Sequence, residues 1–220
     1  MLLYSQNQTD NASKTHILRK TITIQNNTIN IEEVLKPEYL IQLSIDEGLK
    51  NFRQPKQQQQ ALINILSIPN SKVFMARNKH KIIGYITFHP PDTYTRWSKH
   101  PLVLELGAIE VSQKWRKFKI AQHLLEVSFK HDFVEKYIIV SFVFCWNWDL
   151  QNTRLSPWEY QRILVKLFSM VGLETFTTDD PDVLEHPANV MMVRFGKQVS
   201  EKYIQEFKKL AFLNRITIEK

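Results

Sequence analysis

A single cysteine, Cys145, stands in 220 residues, so no disulfide can close within the chain and a reducing cytoplasm is the expected compartment. Asn-x-Ser/Thr matches such as Asn7-Gln8-Thr9 then carry no meaning. No apolar run reaches the ~18 residues that a membrane-spanning helix requires, so no membrane partner is expected. The opening MLLYSQNQTDNASK lacks a basic start followed by an apolar block, and no secretion signal is expected from it. His80, His89, His100, His123, His131 and His186 show no metal-ligand spacing with cysteine, which leaves no metal site to expect. Basic residues outnumber acidic ones, 29 to 22, for a net charge of +7. They are scattered, however, and no basic run is interleaved with aromatics, so nucleic acid is not the expected partner. A ligand carrying several phosphates, or an acidic protein partner, accounts for the excess equally well.

What is present suits one globular domain with a sizeable core: 43% of the residues are hydrophobic, and no shift of composition divides the chain. Residues 1–14 are polar and aperiodic, an expected disordered tail ahead of one domain over 15–220. Thr21–Ile24 and Ile29–Ile31 alternate across Asn26-Asn27 and predict a hairpin. Leu40, Leu43, Ile45 and Leu49 recur at helical spacing and predict a helix over 37–52. A second helix is expected to start in the Gln57–Gln60 run and continue through Ala61–Leu66. Val73–Arg77 and Ile82–Phe88 predict another hairpin. The loop 89–100 that follows could sit at the mouth of a site, and a strand is expected over 104–111. Tyr137–Cys145 is almost continuously apolar, as in a strand buried on both faces. Ser156-Pro157-Trp158-Glu159 combines a cap, proline at the first helical position and an acid in the first turn, which predicts a helix to about Met170, ended by Gly172. A further helix is expected from after Pro187 to about Phe195. Strands alternating with helices, with some adjacent hairpins, give a mixed α/β sheet.

The chemistry concentrates in Glu105–Ser128, where an apolar strand runs into a short basic loop and the loop opens an amphipathic helix. Arg116, Lys117, Phe118, Lys119, Ile120 and Ala121 fall where first-turn N–H groups lack partners and the positive end of the helix dipole points. Three cationic side chains join them, and such a place holds a diphosphate. The alternative is a solvated basic loop. An acidic residue on the preceding strand would put a base near the ligand, which together suggests an acyl-CoA site.

This strand–loop–helix unit resembles the acetyl-CoA-binding core of the GNAT N-acetyltransferases. Arg116, Ile120 and Ala121 fall into their Gln/Arg-x-x-Gly-x-Gly/Ala phosphate loop, while Lys119 stands where glycine is usual. Trp146–Leu167, Thr177–Val199 and Asp46–Pro55 are similar to the AcuA-type acetoin-utilisation acetyltransferases of Gram-positive bacteria. The resemblance implies an α/β (α+β) GNAT fold: a mixed, mostly antiparallel sheet flanked by helices, with acetyl-CoA in a splay between two central strands. It also implies acetyl transfer from acetyl-CoA to an active-site lysine of acetyl-CoA synthetase, shutting that enzyme off, with no metal. Glu105 lies eleven positions before Arg116, the spacing at which several GNAT enzymes place a glutamate base. The backbone of Ile109, Glu110 and Val111 would receive the pantetheine arm. Asn189 resembles the segment along the far side of the cofactor; it could bond pantetheine or cap the helix expected after it. Many relatives carry a thiolate-protonating tyrosine near there, but residues 187–196 contain none.

A lysine amine is protonated at neutral pH, so a base must free it before it attacks the thioester. Between Leu104 and Leu106, a partly desolvated Glu105 would have a raised pKa and serve as that base; the competing reading is a strand-edge carboxylate paired with Arg or Lys. Strand alternation puts Glu110 on the opposite side from Glu105, facing solvent or tying a loop. Trp146, Trp148 and Trp158 are expected in the core first and as partner contacts second, Asp149, Asp179 and Asp180 at turns or caps, and Cys145 as a core thiol. Two further readings stay open. Acetylation of a small amine would call for a closed acidic pocket, whereas a protein substrate needs an open groove. A contact inhibitor would use CoA only as a ligand.

Overall fold

The computed structural model describes residues 18–213, so the expected tail over 1–14 lies outside the described residues. Strands β1 (Arg19–Ile24) and β2 (Asn27–Val34) form the first hairpin. Its turn places Gln25 and Asn26 at φ 47° and 64°, the left-handed pair that matches the right-handed twist of a two-residue hairpin. After α1 (Pro37–Ile41), β3 (Ser44–Ile45) and α2 (Pro55–Leu66) comes the hairpin β4 (Lys72–Asn78) and β5 (Lys81–His89). Then follow β6 (Val103–Val111), α3 (Ile120–Ser128), β7 (Ile138–Val143), α4 (Leu150–Thr153) and α5 (Pro157–Ser169). The described part ends with β8 (Glu174–Phe176), α6 (Pro181–Leu184), β9 (Val190–Phe195) and α7 (Glu201–Leu210).

The strands form one nine-stranded sheet in the order β1-β2-β4-β5-β6-β7-β9-β8, with β3 beside β5. Pairing is antiparallel throughout except for β6–β7 and β3–β5, which is the mixed, mostly antiparallel sheet anticipated. One face buries Phe74, Ile86, Phe88, Leu104, Leu106 and Ile139 with Leu124 of α3 and Phe168 of α5. The other face carries two separate cores. Leu40 and Leu62 of the first two helices pack on Met75 and Tyr85, while Trp97 and Phe207 pack on Val103, Val140 and Met191. Each large side chain so buried contributes roughly 1.5–3 kcal/mol of transfer free energy. Among the described residues no helix is long and apolar enough to cross a membrane.

Three expectations give way. The helix over 37–52 stops at Ile41. Ser44–Ile45 instead pairs in parallel with β5, and Asp46 turns its carboxylate onto the N–H of Gly48, the local side-chain competition that breaks helices. The stretch after Pro187 is strand β9, paired with β7 and β8; the short helix precedes it, at Pro181–Leu184. A short, mostly apolar segment such as Val190–Phe195, broken only by Arg194, satisfies either periodicity, and here the neighbouring strands decide.

The third correction concerns β6. Its register with β5 slips between Thr87 and Phe88: Phe88 faces Leu106, Thr87 faces Ala108, and Gly107 is the extra residue of a bulge. A bulge resets the alternation of faces. Leu104 and Leu106 before it, and Ile109 and Val111 after it, share one core. Val103, Glu105, Ala108 and Glu110 therefore share the other face, and the two carboxylates lie on the same side.

Candidate active site

Beyond Glu105 the two central strands part. β6 and β7 are in register only over Val103–Glu105 and Ile138–Val140, after which β7 stays with β9 and β6 with β5. The opening is a cleft walled by residues 106–109 and 141–144 and backed by Trp148, Tyr160, Leu164 and Phe168. One edge of β6 thus has no strand partner. Arg116 Nε donates to the Val111 carbonyl across that edge at 3.2 Å. Strand alternation points the N–H and C=O of Ile109 the same way.

At the end of β6 the loop turns through two left-handed residues, Lys117 at φ 70° and Lys119 at φ 59°. This explains why glycine is usual at the second: the conformation crowds any β-carbon. Lys119 caps α3 without a side-chain hydrogen bond, so the first-turn donors at Ile120 and Ala121 remain open to an anion. Lys117 and Lys119 are exposed, and Phe118 packs into the core. Arg116 is engaged elsewhere. Its Nη1 donates to Asp149 at 2.6 Å, fixing the loop to the segment after β7. Burial pushes the Asp149 carboxyl up, but the bonds from Arg116 and Asn152 bring it below the usual range.

Glu105 sits at the root of the cleft, cross-strand from His89. Burial raises its pKa above the ordinary value of 4.5; His89 pulls it back and Asp92 adds to the rise. Glu110 is buried, with 5% of its surface exposed, and does not face solvent. Its carboxylate accepts from Tyr85 Oη at 2.6 Å and from the Asn51 N–H at 2.9 Å. Asn51 in turn donates through Nδ2 to the Asn147 carbonyl at 2.6 Å. Glu110 therefore ties down the 46–53 loop, which bridges the two sides of the cleft.

The structure gathers Ile109, Val111 and the 116–121 loop at one end of the splay and Glu105 at the other. Asn189 stands apart. It is buried, accepting from the Cys145 N–H at 2.9 Å and donating to the Asp182 carbonyl at 3.0 Å, so its carboxamide holds two loops together. Cys145 is partly exposed. Trp148 packs, stacked on Tyr160 at 5.3 Å. Trp146 and Trp158 are not core residues, being 52% and 46% exposed.

Tyr160 is the functional candidate that sequence reasoning passed over. Its hydroxyl is pushed up by burial, against an opposing backbone hydrogen bond from Asp149, so it keeps its proton until a stronger base needs one. A signal was available: Tyr160, Leu164 and Phe168 recur every four residues on a capped helix, and all three line the cleft. A second, open groove runs along α2, lined by Arg53, Gln57, Gln60, Asn64, Ile65 and His89 among others, with no carboxylate among its lining residues.

The family described as Acetyltransferase (GNAT) family matches residues 31–151. A relative named acetoin utilization protein AcuA, from Bacillus licheniformis, is 38% identical over 198 residues, spanning 89% of this chain and 94% of that protein. Its namesake from Bacillus subtilis is 37% identical over 187 residues, 84% of this chain and 89% of that protein. The crystal structure of an acetoin utilization protein from Exiguobacterium sibiricum superposes with a TM-score of 0.88 at 37% identity, covering 93% of this chain and 98% of that one.

Proposed function

The chain belongs to the GNAT acetyltransferase family and is of the AcuA type, and from that premise we propose that it transfers the acetyl group of acetyl-CoA to an active-site lysine of acetyl-CoA synthetase, switching the synthetase off. GNAT enzymes use acetyl-CoA as cosubstrate, and the residues present fit it. The edge of β6 that lacks a strand partner offers main-chain groups at Ile109 to the pantetheine arm, as an added strand would use them, while the Val111 carbonyl beside it accepts from Arg116. The open donors from Lys119 to Ala121, with the Lys117 and Lys119 side chains, suit the diphosphate. Arg116 contributes indirectly, by holding the loop against Asp149. Glu105 is the base that frees the acceptor amine, directly or through an intermediary; its raised pKa increases its basicity. Tyr160, at the back of the same cleft, is suited to return a proton to the departing thiolate.

The observation that carries the choice of a protein acceptor is the groove beside α2. A small amine would be held in a closed acidic pocket, whereas this approach is open and lined by carboxamides, Ile65, Ile68 and His89. Its charge comes from Arg53, which disfavours a free polyamine. The test is mass spectrometry of acetyl-CoA synthetase after incubation with this protein and acetyl-CoA. A gain of one acetyl group at stoichiometry, lost with Glu105→Gln while acetyl-CoA binding persists, is the expected result. A synthetase that stays unmodified, or one fully inhibited by Glu105→Gln, would replace transfer with inhibition by contact.

A further inference from the structure

We infer that His89 takes the proton from the acceptor amine, with Glu105 as its cross-strand neighbour. The inference rests on reading the splay as the acetyl-transfer site, and it specifies how that site reaches its base.

Glu105 lies in the paired root of β6, before the strands part. The cleft is lined from Leu106 onward, and the open groove is lined up to His89; Glu105 is among the lining residues of neither. His89 stands between the two. It is the cross-strand partner of Glu105, it lines the groove, and its imidazole lies against Gly107, which lines the cleft. A β-carbon at position 107 would collide with His89 Nε2. The glycine therefore opens the space that brings this nitrogen to the junction of donor cleft and acceptor groove.

The tautomer follows from a hydrogen bond. His89 Nδ1 lies 2.9 Å from the Pro90 carbonyl, and a carbonyl can only accept, so Nδ1 carries the hydrogen. In the neutral ring Nε2 then presents a lone pair. The base is thus oriented by its own backbone neighbour and aimed at the junction. Glu105, the cross-strand partner of His89, places a carboxyl group on the same side of the sheet. Arg53 across the groove and Asp92 on the following loop are the other charged groups on this side.

The step balances. The lysine ammonium gives one proton to Nε2, and the freed lone pair forms the C–N bond at the thioester carbonyl. The C–S bond breaks with its electron pair on sulfur. Of the two protons that nitrogen loses, the first passes from His89 to solvent through the open groove and the second ends on the thiolate. The products are the amide, CoA thiol and one released proton.

The test is chemical rescue. His89→Ala, assayed with acetyl-CoA and a lysine-containing peptide as well as with acetyl-CoA synthetase, is expected to lose about 100-fold or more in kcat with calorimetric acetyl-CoA affinity retained. Added imidazole should restore a large part of the rate, because the groove is open to a small base, and should do nothing for Glu105→Gln. His89→Gln, which fills similar space without a base, should be equally slow and not rescued. Parental turnover in either histidine variant overturns the assignment, as does a folded His89→Ala that imidazole leaves slow. A parent that acetylates the peptide but not the synthetase would fail the partner reading alone, with His89 still read on the peptide.

Discussion

Lys119 stands in a left-handed position that suits glycine, and replacing it with glycine should make the protein more stable. A non-glycine residue in the left-handed region costs about 1–2 kcal/mol, and Lys119 is held there at φ 59°. Glycine removes that cost but gives the unfolded chain more freedom, worth about 0.5–1 kcal/mol in the opposite direction. The substitution also removes a cation from a helix N-terminus, where positive charge is unfavourable by about 0.3–1 kcal/mol. No side-chain cap is lost, because Lys119 makes none. The balance is a gain of about 1 kcal/mol, or about 2–4 °C in Tm for a chain of this size. Urea unfolding at matched pH and ionic strength measures it. Lys119→Ala is the control: it loses the same charge but keeps a β-carbon in the strained conformation, so it should gain only the electrostatic part. A Lys119→Gly variant that melts at or below the parent, or an alanine variant that gains as much, would refute the strain argument. Acetyl-CoA affinity should change little in Lys119→Gly, since an exposed ionic contact is worth about 0–1 kcal/mol.

Glu105→Gln should raise stability at neutral pH while abolishing transfer. Burial lifts the folded-state pKa of Glu105 above its ordinary 4.5, so the stability it contributes is complete below that value and lost as pH rises through the raised one. The Tm advantage of the glutamine variant should therefore be largest at neutral pH and shrink toward acid; an advantage that does not vary with pH would contradict this. Glu110→Ala strips the acceptor from Tyr85 Oη and from the Asn51 N–H, leaving one buried and one half-buried donor unmet at a cost of about 2–4 kcal/mol. Hydrogen exchange at Asn51 should accelerate more than elsewhere in that variant, and an unchanged rate there would show that the carboxylate does not hold the loop.

Local chemistry was legible where it is self-contained. The Ser156–Glu159 capping box forms both of its bonds, and the β1–β2 hairpin forms, its turn at Gln25-Asn26 one position before the asparagine pair. The order of strand, loop and helix expected over 104–128 is present as β6, the 116–119 loop and α3, but the simple alternation read along the strand fails at the Gly107 bulge. Contacts distant in sequence were not legible. Arg116 meets Asp149 across 33 positions, so a residue read as a phosphate ligand became a brace for the loop. Asn189 reads as a cap or ligand on its own, yet Cys145 and Asp182 consume its carboxamide. Residues 190–195, apolar except for Arg194, suit either structure, and pairing with β7 makes them a strand.

The bulge at Gly107 draws these threads into one cause. A regular β6 would set Glu105 and Glu110 on opposite faces; one extra residue puts both on the side where α2 and the open groove lie. The bulge falls where β6 and β7 part, just past their last registered pair at Glu105 and Val140, so the cleft begins where the strand bends, as bulges make strands do. Because the extra residue is glycine, the His89 ring can lie over it. Any larger residue would have to push the imidazole away from the junction or straighten the strand. Either change would move the imidazole off the boundary between the cleft and the open groove. Glu110 then has a structural duty on that same face, anchoring the 46–53 loop across the cleft. The two glutamates thus differ in their surroundings despite facing the same way: Glu110 is bonded to Tyr85 and to the 46–53 loop, while Glu105 lies cross-strand from His89 at the root of the cleft.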